Sequence, residues 1–371
     1  MSETSTGDTG WAQLKEQDRA LDRVRAGLQT WMRDHVGDPG LIVGPLSSPG
    51  GTGVANETLL FDVERSTGTV EGFVARLATD DPLYLDYDLT THYRMYAEMM
   101  AVPSVPTPQV MSYEPDPVVL GAPFFVMEKI DGVVPSDSPS WAAEGFVVEA
   151  SPAQRRRLWE GTVQAMARLH RLDPEPFRFL LAGATGDGVG DCLDFWIRSM
   201  RWANPAKPVP LSGEAEEWLL ANRPIGTALS WGDSRLPNVI YRDHTPVGLL
   251  DWDLVSLAGP QADLAWWIIM TPQESGQLDG MGSPDELIDL WEDLTGQSAT
   301  DLHWFLVFGA YRLAAIMAKL FSMFVADRRM PAEFAEQQLN TGLHVQLLAG
   351  LLDREPPPSV TPLIPDVRLD R

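Results

Sequence analysis

Three of the four aspartates in residues 230–253, together with an asparagine, are the side chains best suited to chemistry in the chain. Asp233 precedes an apolar run, Asn238 begins that run, and Asp251 lies near the end of the next one. The runs "NVIY" and "VGLLDW", separated by the polar "RDHTP", predict two strands and a turn. Because a hairpin brings its two ends together, we expect Asn238 and Asp251 to face one site, with Asp233 on the loop that enters it.

This set of side chains suits the transfer of a phosphoryl group. Mg²⁺ prefers oxygen ligands and is usually held by one or two carboxylates together with substrate phosphates. A further carboxylate that stays off the metal can accept a proton from a hydroxyl group. In phosphoryl transfer, a loop aspartate orients the nucleophile while an asparagine and another aspartate hold metal. The alternative is an ordinary hairpin whose Asp and Asn side chains cap turns.

The order of these residues resembles that of a known family. "WGDSRLPNVIY" resembles the His-Gly-Asp-x-x-x-x-Asn loop of the aminoglycoside phosphotransferase and choline kinase-like family, "LLDWD" its metal motif, and "GPQADLAWW" the segment that follows. The resemblance implies that Asp233 is the catalytic base and that Asn238 and Asp251 hold metal. Asp253 would be an accessory acid near metal or substrate. The implied cofactors are Mg²⁺ and ATP or GTP.

A glycine-rich turn in "SSPGGTGVANETLLF" has the composition of a phosphate-binding loop. Backbone N–H groups at Gly51, Thr52 and Gly53 can approach a phosphate because no large side chain obstructs them. "GVANET" resembles the family's Gly-x-Ser-Asn-x-Thr pattern, with Ala55 where serine is usual. The alternative for this turn is an ordinary hairpin loop.

Two more nucleotide contacts are implied by the resemblance. Arg76 in "GFVARL" stands where the family carries its phosphate-pairing cation, and a guanidinium can grip phosphate oxygens in a bidentate way. "FFVMEKIDG" resembles the family's hinge, so adenine would bond to the backbone around Glu128 to Ile130. The alternatives are a solvent-facing strand arginine and a plain core strand.

The chain departs from the family pattern at three places. Trp231 replaces the usual loop histidine, although its indole N–H can still donate one hydrogen bond. His92 stands where the family usually has a helix glutamate, which leaves Asp88 and Glu98 as candidate partners of Arg76, or neither. The third departure is the alanine in the glycine-rich turn. These departures raise a rival interpretation, a nucleotide-binding pseudokinase without turnover.

Two lobes are needed to position these residues. We expect an α+β, bilobal, protein-kinase-like fold. A small N-terminal antiparallel β lobe with helices, residues 1–130, would bind nucleotide, and a larger, mainly helical lobe, residues 131–355, would carry catalysis and the acceptor. Apolar residues at helical spacing predict a leading helix over residues 10–36. Ser, Pro and Gln at residues 151–154 predict the capping box of a long helix. Residues 356–371 form a Pro-rich tail.

Charge and cysteine content narrow the class of protein. The net charge is −24, from 28 basic and 52 acidic residues, which argues against nucleic-acid binding because phosphate contacts need a basic surface. The acidity fits either a cationic substrate or solubility. The single cysteine, Cys192, excludes an intramolecular disulfide and suits a reducing cytoplasm. We expect a cytoplasmic protein, since no signal peptide is visible and the apolar stretches look too short or too interrupted by charge to span a membrane.

The acceptor is a small molecule with a hydroxyl group, but its class is open. The segment after Asp263 is expected to line the acceptor side of the cleft. Its acids would receive the ammonium groups of an aminoglycoside, or would be solvated charges; they are Glu274, Asp279, Asp285 and Glu286. The segment before Gly132 and the strand arginine instead resemble a branch of the family fused to acyl-CoA dehydrogenases, which implies a metabolic hydroxy-acid or hydroxyacyl acceptor. Trp266 and Trp267 suit an acyl or ring-bearing substrate, or the core.

Overall fold

A sheet and a helical part make up the computed structural model, which describes residues 21–48, 57–137, 139–181, 183, 186–203, 207–275 and 278–358. Within these ranges the N-terminal sheet is antiparallel, with the spatial order β1-β2-β3-β5-β4. Its strands are β1 Ile42–Val43, β2 Glu57–Glu64, β3 Val70–Leu77, β4 Val110–Glu114 and β5 Phe124–Glu128. Arg76 lies opposite Thr58 and Phe125 in this register, near the end of β3 that faces the helical part.

One helix covers each face of the sheet. Helix α1, Leu21–Val36, buries the apolar side predicted from its spacing, and residues 10–20 of the predicted helix lie outside the described residues. Helix α2, Leu89–Met99, buries Met95, Tyr96 and Met99 against a cluster that includes Phe125 of β5 and continues into the helical part. The sheet is therefore held between α1 on one side and α2 on the other.

The rest of the described chain is mainly helical. Its helices are α3 Phe146–Glu149, α4 Pro152–His170, α5 Gly188–Ala203, α6 Ser212–Ala221, α7 Pro260–Ser275, α8 Pro284–Thr295, α9 Leu302–Ala326, α10 Ala332–Thr341 and α11 Leu343–Leu351. The predicted capping box of α4 is confirmed: Ser151 Oγ accepts from Gln154 N, and the Gln154 side chain accepts from Ser151 N at 2.8 Å. The α+β, two-part architecture is confirmed, while a lobe boundary near residue 130 stays a prediction.

The predicted hairpin is present between α6 and α7. Its strands are β6 Val239–Arg242, one residue later than predicted, and β7 Thr245–Leu249, which starts two residues and ends three residues earlier than predicted. Asp243 and His244 connect them with positive φ angles of 50° and 61°, the geometry of a two-residue type I′ turn. The backbone N–H of Leu250 donates to the carbonyl of Asn238 at 2.8 Å. This bond sets Asn238 beside the residue that precedes Asp251.

Helix α9 corrects one expectation about the apolar stretches. It has 25 residues and is long and apolar enough to cross a membrane by length and composition alone. However, 78% of its most apolar window is buried inside the protein, where its side chains pack on α5, α6, α7 and α11. Burial of this kind is typical of the central core helix of a globular domain.

Candidate active site

A buried carboxylate at the start of α7 anchors residues 230–238, which we call the Asp233 loop. Asp263 is fully buried. Its Oδ1 accepts from Ser230 Oγ at 3.0 Å and from Gly232 N at 2.7 Å. Its Oδ2 accepts from Trp231 N at 2.6 Å and from His170 Nε2 at 2.8 Å. Three successive loop residues are therefore tied to one side chain of another element.

His170 extends this anchor to α4 and α8. Trp291 of α8 donates its Nε1–H to His170 Nδ1 at 2.9 Å. Because an indole nitrogen can only donate, Nδ1 carries no proton and Nε2 holds the proton that bonds to Asp263. His170 ends α4, and its contact with Asp263 was not predicted from the sequence.

Trp231 and Gly232 fix the loop against the hairpin. The Trp231 indole N–H donates to the Leu250 carbonyl at 2.8 Å, and its ring lies 6.1 Å from that of Trp252. This confirms that tryptophan can brace the loop where the family has histidine. Gly232 has φ +97°, and a Cβ there would collide with the carbonyl of Leu254, so glycine is required.

The Asp233 carboxylate lies at the bottom of the cleft between the two parts of the protein, and its side chain is 14% exposed. Its Oδ1 accepts from Trp266 Nε1 at 2.6 Å and from Arg235 Nε at 3.0 Å. Its Oδ2 accepts from Asn238 Nδ2 at 2.7 Å. Arg235 also pairs with Asp137 at 2.9 Å, which holds the guanidinium in place. Trp266, Arg235 and Asp137 were not predicted to contact this group or its neighbours.

The amide of Asn238 has a defined orientation. Its Nδ2 donates both to Asp233 Oδ2 and to the backbone carbonyl of Asp233, the latter at 2.9 Å. Both neighbours are acceptors, so the NH₂ group faces them and its two hydrogens are used. The side-chain oxygen of Asn238, Oδ1, takes part in neither of these bonds and is left as a ligand. This is the atom that a metal would use.

Asp251 follows β7 with a positive φ of 56°. Its Oδ1 accepts from the backbone N–H of Asp253 at 3.4 Å. Burial raises its pKa to about 7, and the nearby carboxylate of Asp253 adds to this effect, while Arg76 opposes it. Few neighbouring groups stabilise the negative charge of this buried carboxylate, so it is suited to binding a divalent cation.

The residues present fit Mg²⁺. Asp251 would supply one carboxylate oxygen and Asn238 one amide oxygen. In the described part of the chain, three or more His, Cys, Asp or Glu side chains do not converge as a metal site. That agrees with an ion held by few protein oxygens and completed by phosphates and water, the usual case for Mg²⁺.

Arg76 crosses the cleft to pair with Asp253. One terminal nitrogen of its guanidinium lies 3.0 Å from Asp253 Oδ1 and 3.2 Å from Oδ2, and His92 Nδ1 lies 3.1 Å from the same Oδ1. The Asp253 side chain is 2% exposed. Burial opposes its charge, but Arg76 and His92 outweigh this and lower the pKa of Asp253 to about 2.

The carboxylate partner of Arg76 is therefore Asp253. Asp88 instead caps α2, accepting from Thr90 N at 2.9 Å. Glu98 lies 3.8 Å from Arg94, one turn back on the same helix. Asp253 therefore replaces the helix glutamate as the carboxylate that orients the strand cation, and His92 supports it from the helix. This is a more specific contact than the accessory position expected for Asp253.

Replacing Asp253 with asparagine is expected to raise the KM for ATP at least about tenfold, because a charge-assisted hydrogen bond to a buried partner is worth about 1.5–3 kcal/mol. Steady-state kinetics measures this. Asp62→Asn is the matched control, since it removes only the exposed Lys129–Asp62 pair. Adding His92→Glu to Asp253→Asn restores a carboxylate beside Arg76 and should recover part of the loss. An unchanged KM in Asp253→Asn would contradict the assignment.

A cleft of about 510 Å³ joins these groups. Its upper wall comes from the sheet, and its lower wall comes from the Asp233 loop and the hairpin. The residues lining it include Thr58, Leu60, Val74, Arg76, Met127, Glu128, Ile130, Asp233, Asn238, Ile240, Leu250, Asp251 and Asp253. Apolar side chains above and below make a slot that suits a flat aromatic ring. All the predicted catalytic, metal-binding and nucleotide-binding residues that the structure describes line this one cleft.

The predicted hinge is refined by its backbone bonds. Glu128 N donates to the carbonyl of Gln109 at 2.9 Å, and Lys129 N donates to that of Gly72 at 3.0 Å. The Ile130 N–H has no such partner within the described residues, so it is the donor available to an adenine. The Glu128 side chain turns away and accepts from Gln109 N at 3.0 Å. The predicted phosphate turn, Gly51, Thr52 and Gly53 with Ala55, lies outside the described residues.

A second cavity of about 750 Å³ adjoins the cleft. Tyr84 and Asp253 line both. Its other walls come from the segment before α2, from α5, and from residues 179–181, 183 and 254–257. Burial raises the pKa of Tyr84 well above its usual value, and the carboxylates of Asp251 and Asp233 add to this. The Tyr84 hydroxyl therefore stays protonated close to the catalytic carboxylates.

The segment expected to line the acceptor side is largely core. Trp267 is 2% exposed, and of the two tryptophans only Trp266 contacts Asp233. Glu286 belongs to the capping box of α8 and pairs with Arg156 at 2.9 Å. The acid side chains on α8 therefore match the surface-charge interpretation better than a role as ligands of ammonium groups. The side chain of Glu274 lies outside the described residues.

Comparison with known proteins decides the family. The model of the phosphotransferase enzyme family matches residues 52–293, well over half of the chain. The chain belongs to this family. The matched range holds the Asp233 loop, the hairpin, Arg76 and Asp263. The predicted family is confirmed.

Solved structures share the fold across most of their length. A Ralstonia eutropha protein assigned as an aminoglycoside phosphotransferase has a TM-score of 0.65 at 22% identity, covering 88% of this chain and 98% of that one. Aminoglycoside phosphotransferase APH(4)-Ia, in a ternary complex with AMP-PNP and hygromycin B, has a TM-score of 0.54 at 14% identity, with 84% and 96% covered. The predicted kinase-like fold is confirmed.

Curated relatives come from the acyl-CoA dehydrogenase branch. Human acyl-CoA dehydrogenase family member 11 is 27% identical over 266 residues, 65% of this chain and 33% of that protein. A probable acyl-CoA dehydrogenase of Arabidopsis thaliana is 22% identical over 346 residues, 84% of this chain and 41% of that protein. The chain thus spans about a third to two fifths of the length of these relatives.

Proposed function

We propose that this phosphotransferase moves the γ-phosphoryl group of ATP, bound with Mg²⁺, to a hydroxyl group of a small molecule, with Asp233 as the base. The observation that carries the proposal is the surroundings of Asp233. Both of its oxygens are held by donors, and Asn238 links it to the end of the hairpin that carries Asp251. The Asp233 loop and the hairpin therefore bring the proton acceptor, Asp233, close to the two residues proposed to bind metal, Asn238 and Asp251.

The proposed reaction follows from these positions. The acceptor hydroxyl bonds to Asp233, which orients its oxygen toward the γ-phosphorus. A bond forms between that oxygen and phosphorus, and the bond from phosphorus to the β–γ bridging oxygen breaks. The hydroxyl proton passes to Asp233, and ADP carries the leaving oxygen. Arg76, held by Asp253, neutralises phosphate charge during the transfer.

Bound Mg²⁺ would supply positive charge that stabilises the charge developing on the phosphates. Asn238 and Asp251 would hold it. ATP is favoured over GTP because structural neighbours were crystallised with AMP-PNP or ADP. In this proposal the adenine ring lies in the apolar slot, and the Ile130 N–H donates a hydrogen bond to it.

The pseudokinase alternative has no observation in its favour within the described residues. Trp231 braces the loop by its own hydrogen bond, and Asp253 replaces the missing helix glutamate as partner of Arg76. The two departures that raised this alternative are therefore compensated. We also propose a cytoplasmic location, which agrees with a single, buried cysteine.

For the acceptor we propose a metabolic hydroxy-acid or hydroxyacyl compound. Two observations support it: the curated relatives are acyl-CoA dehydrogenase family members, and the walls of the second cavity include Phe179, Phe195 and Trp196, beside several aspartates. The acid side chains on α8 do not favour a polycationic acceptor.

Aminoglycoside phosphorylation is accordingly expected to be weak, with kcat/KM below about 10⁴ M⁻¹s⁻¹, and to weaken further with added salt, which screens exposed charge pairs. Steady-state assays of ATP consumption across aminoglycosides, hydroxy-acids and hydroxyacyl thioesters measure this, with ³¹P NMR to detect the phosphoester. An aminoglycoside value between about 10⁴ and 10⁸ M⁻¹s⁻¹ would overturn the acceptor proposal. No phosphoester from any hydroxyl compound would overturn the proposed function itself.

A further inference from the structure

The donors around Asp233 leave one direction open to a substrate. A carboxylate oxygen has two lone-pair positions. On Oδ1, both are used by N–H donors, from Trp266 at 2.6 Å and from Arg235 at 3.0 Å. On Oδ2, one is used by Asn238. The position that remains on Oδ2 is where an acceptor hydroxyl can bond.

Trp266 makes the shortest of these bonds, and its ring is held from behind. Arg312 of α9 stacks against it, with the guanidinium carbon 4.6 Å from the ring centroid, and also lies 5.2 Å from the ring of Trp196. The same guanidinium donates to the Gly232 carbonyl at 2.7 Å. Arg312 therefore contacts both the residue before Asp233 in the chain and the side chain that binds Asp233.

A buried arginine at position 312 is unusual if the residue only stabilises the fold. It is 2% exposed, and among the described residues it forms no ion pair with a carboxylate. Burying a cation without a carboxylate is costly, even when aromatic faces and a carbonyl offset part of the cost. A leucine or methionine would fill the same space without that cost. The contacts of Arg312 point instead to control of the Asp233 loop.

We propose that Trp266 is a positioning residue that fixes which oxygen of Asp233 receives the proton, and that Arg312 holds Trp266 and the loop in register. This inference rests on the proposed function. By occupying Oδ1, the indole N–H turns Oδ2 toward the acceptor hydroxyl. Without it, the carboxylate is held only by Arg235 and Asn238 and can tilt about its Cβ–Cγ bond, so only a fraction of molecules is aligned for transfer.

The test is Trp266→Phe, which keeps an aromatic face for Arg312 and removes the N–H donor. Its kcat is expected to fall about 10- to 100-fold, as for loss of a hydrogen bond to a charged group, while the KM for ATP stays unchanged. Trp267→Phe is the matched control. It makes the same change one residue away, at a core tryptophan without a contact to Asp233, and should keep wild-type turnover.

A double variant separates positioning from a general structural role. If Trp266 acts through Asp233, adding Trp266→Phe to Asp233→Asn should lower the residual rate no further. Two full, additive losses would overturn the proposal, as would equal kcat in Trp266→Phe and Trp267→Phe.

If Trp266→Phe does not fold, Arg312→Lys carries the test. This variant keeps a donor for Gly232 but loses planar stacking, so kcat should fall with KM for ATP unchanged. A wild-type kcat would overturn the proposal. An inactive wild-type protein would instead count against the proposed function.

Discussion

Asp233→Asn is expected to lower kcat by about 10²–10⁴-fold, the contribution of a positioned general base, while nucleotide affinity and the melting temperature stay near wild-type values. Asparagine has the same shape, and with its oxygen toward Trp266 and Arg235 it keeps those two bonds, while its NH₂ group loses the bond from Asn238. It cannot accept the hydroxyl proton. Single-turnover and steady-state kinetics separate the chemical step from binding.

Asp243→Asn is the matched control, because Asp243 is exposed in the hairpin turn with a positive φ that asparagine also tolerates. It should behave as wild type. Turnover within a few fold of wild type in Asp233→Asn would mean that the proton leaves by another route, and that the Asp233 loop is not the catalytic loop.

Asp251→Ala is expected to abolish the contribution of Mg²⁺ to nucleotide binding. In the wild type, Mg²⁺ should strengthen ATP binding, and in the variant ATP should bind with nearly the same affinity with and without the ion. Turnover should fall by two or more orders of magnitude, about the loss expected when a main electrostatic stabiliser is removed. Isothermal titration at several Mg²⁺ concentrations measures the binding.

Asp301→Ala controls for the backbone, since Asp251 and Asp301 share positive φ angles of 56° and 58° and alanine is equally strained at both. Unchanged Mg²⁺ dependence in Asp251→Ala would show that the metal ligands lie elsewhere.

The pH dependence of the same binding follows from the raised pKa of Asp251, about 7 in the metal-free protein. Mg²⁺ binds the deprotonated carboxylate, so protons compete with it below pH 7. Affinity for Mg²⁺ and ATP together should rise about tenfold per pH unit up to roughly that value and then level off. In the folded protein this carboxyl keeps its proton to a higher pH than in the unfolded chain. The metal-free protein should therefore lose stability as pH rises from about 4 to 7.

Local features of the site were predictable from the sequence. Asp233 and Asn238 are five residues apart, so a single loop decides their contact, and the hairpin that brings Asp251 close is visible as two apolar runs around a polar turn. The capping box of α4 is likewise a local signal of three residues. In each of these cases the residues that make the contact are neighbours in the chain.

The contacts that were not predicted join distant parts of the chain. Asp253 meets Arg76 across 177 positions, and Trp266 meets Asp233 through the packing of α7 against the loop. Charge or hydrophobic spacing gives no signal for such pairs, because the meeting point depends on how helices and sheet dock. Arg312 lies in an otherwise apolar helix, and only its position among aromatic rings shows its contact with the loop.

The Arg76–Asp253 pair also has a kinetic consequence. It connects the third strand of the sheet directly to the segment after the hairpin, on the opposite side of the cleft. Pulling the sheet away from the helices would separate a guanidinium from a carboxylate that water scarcely reaches, and would leave both without compensation. The pair therefore acts as a latch that opposes separation of the sheet from the helices. The rate at which this latch breaks sets an upper limit on any exchange that requires such separation.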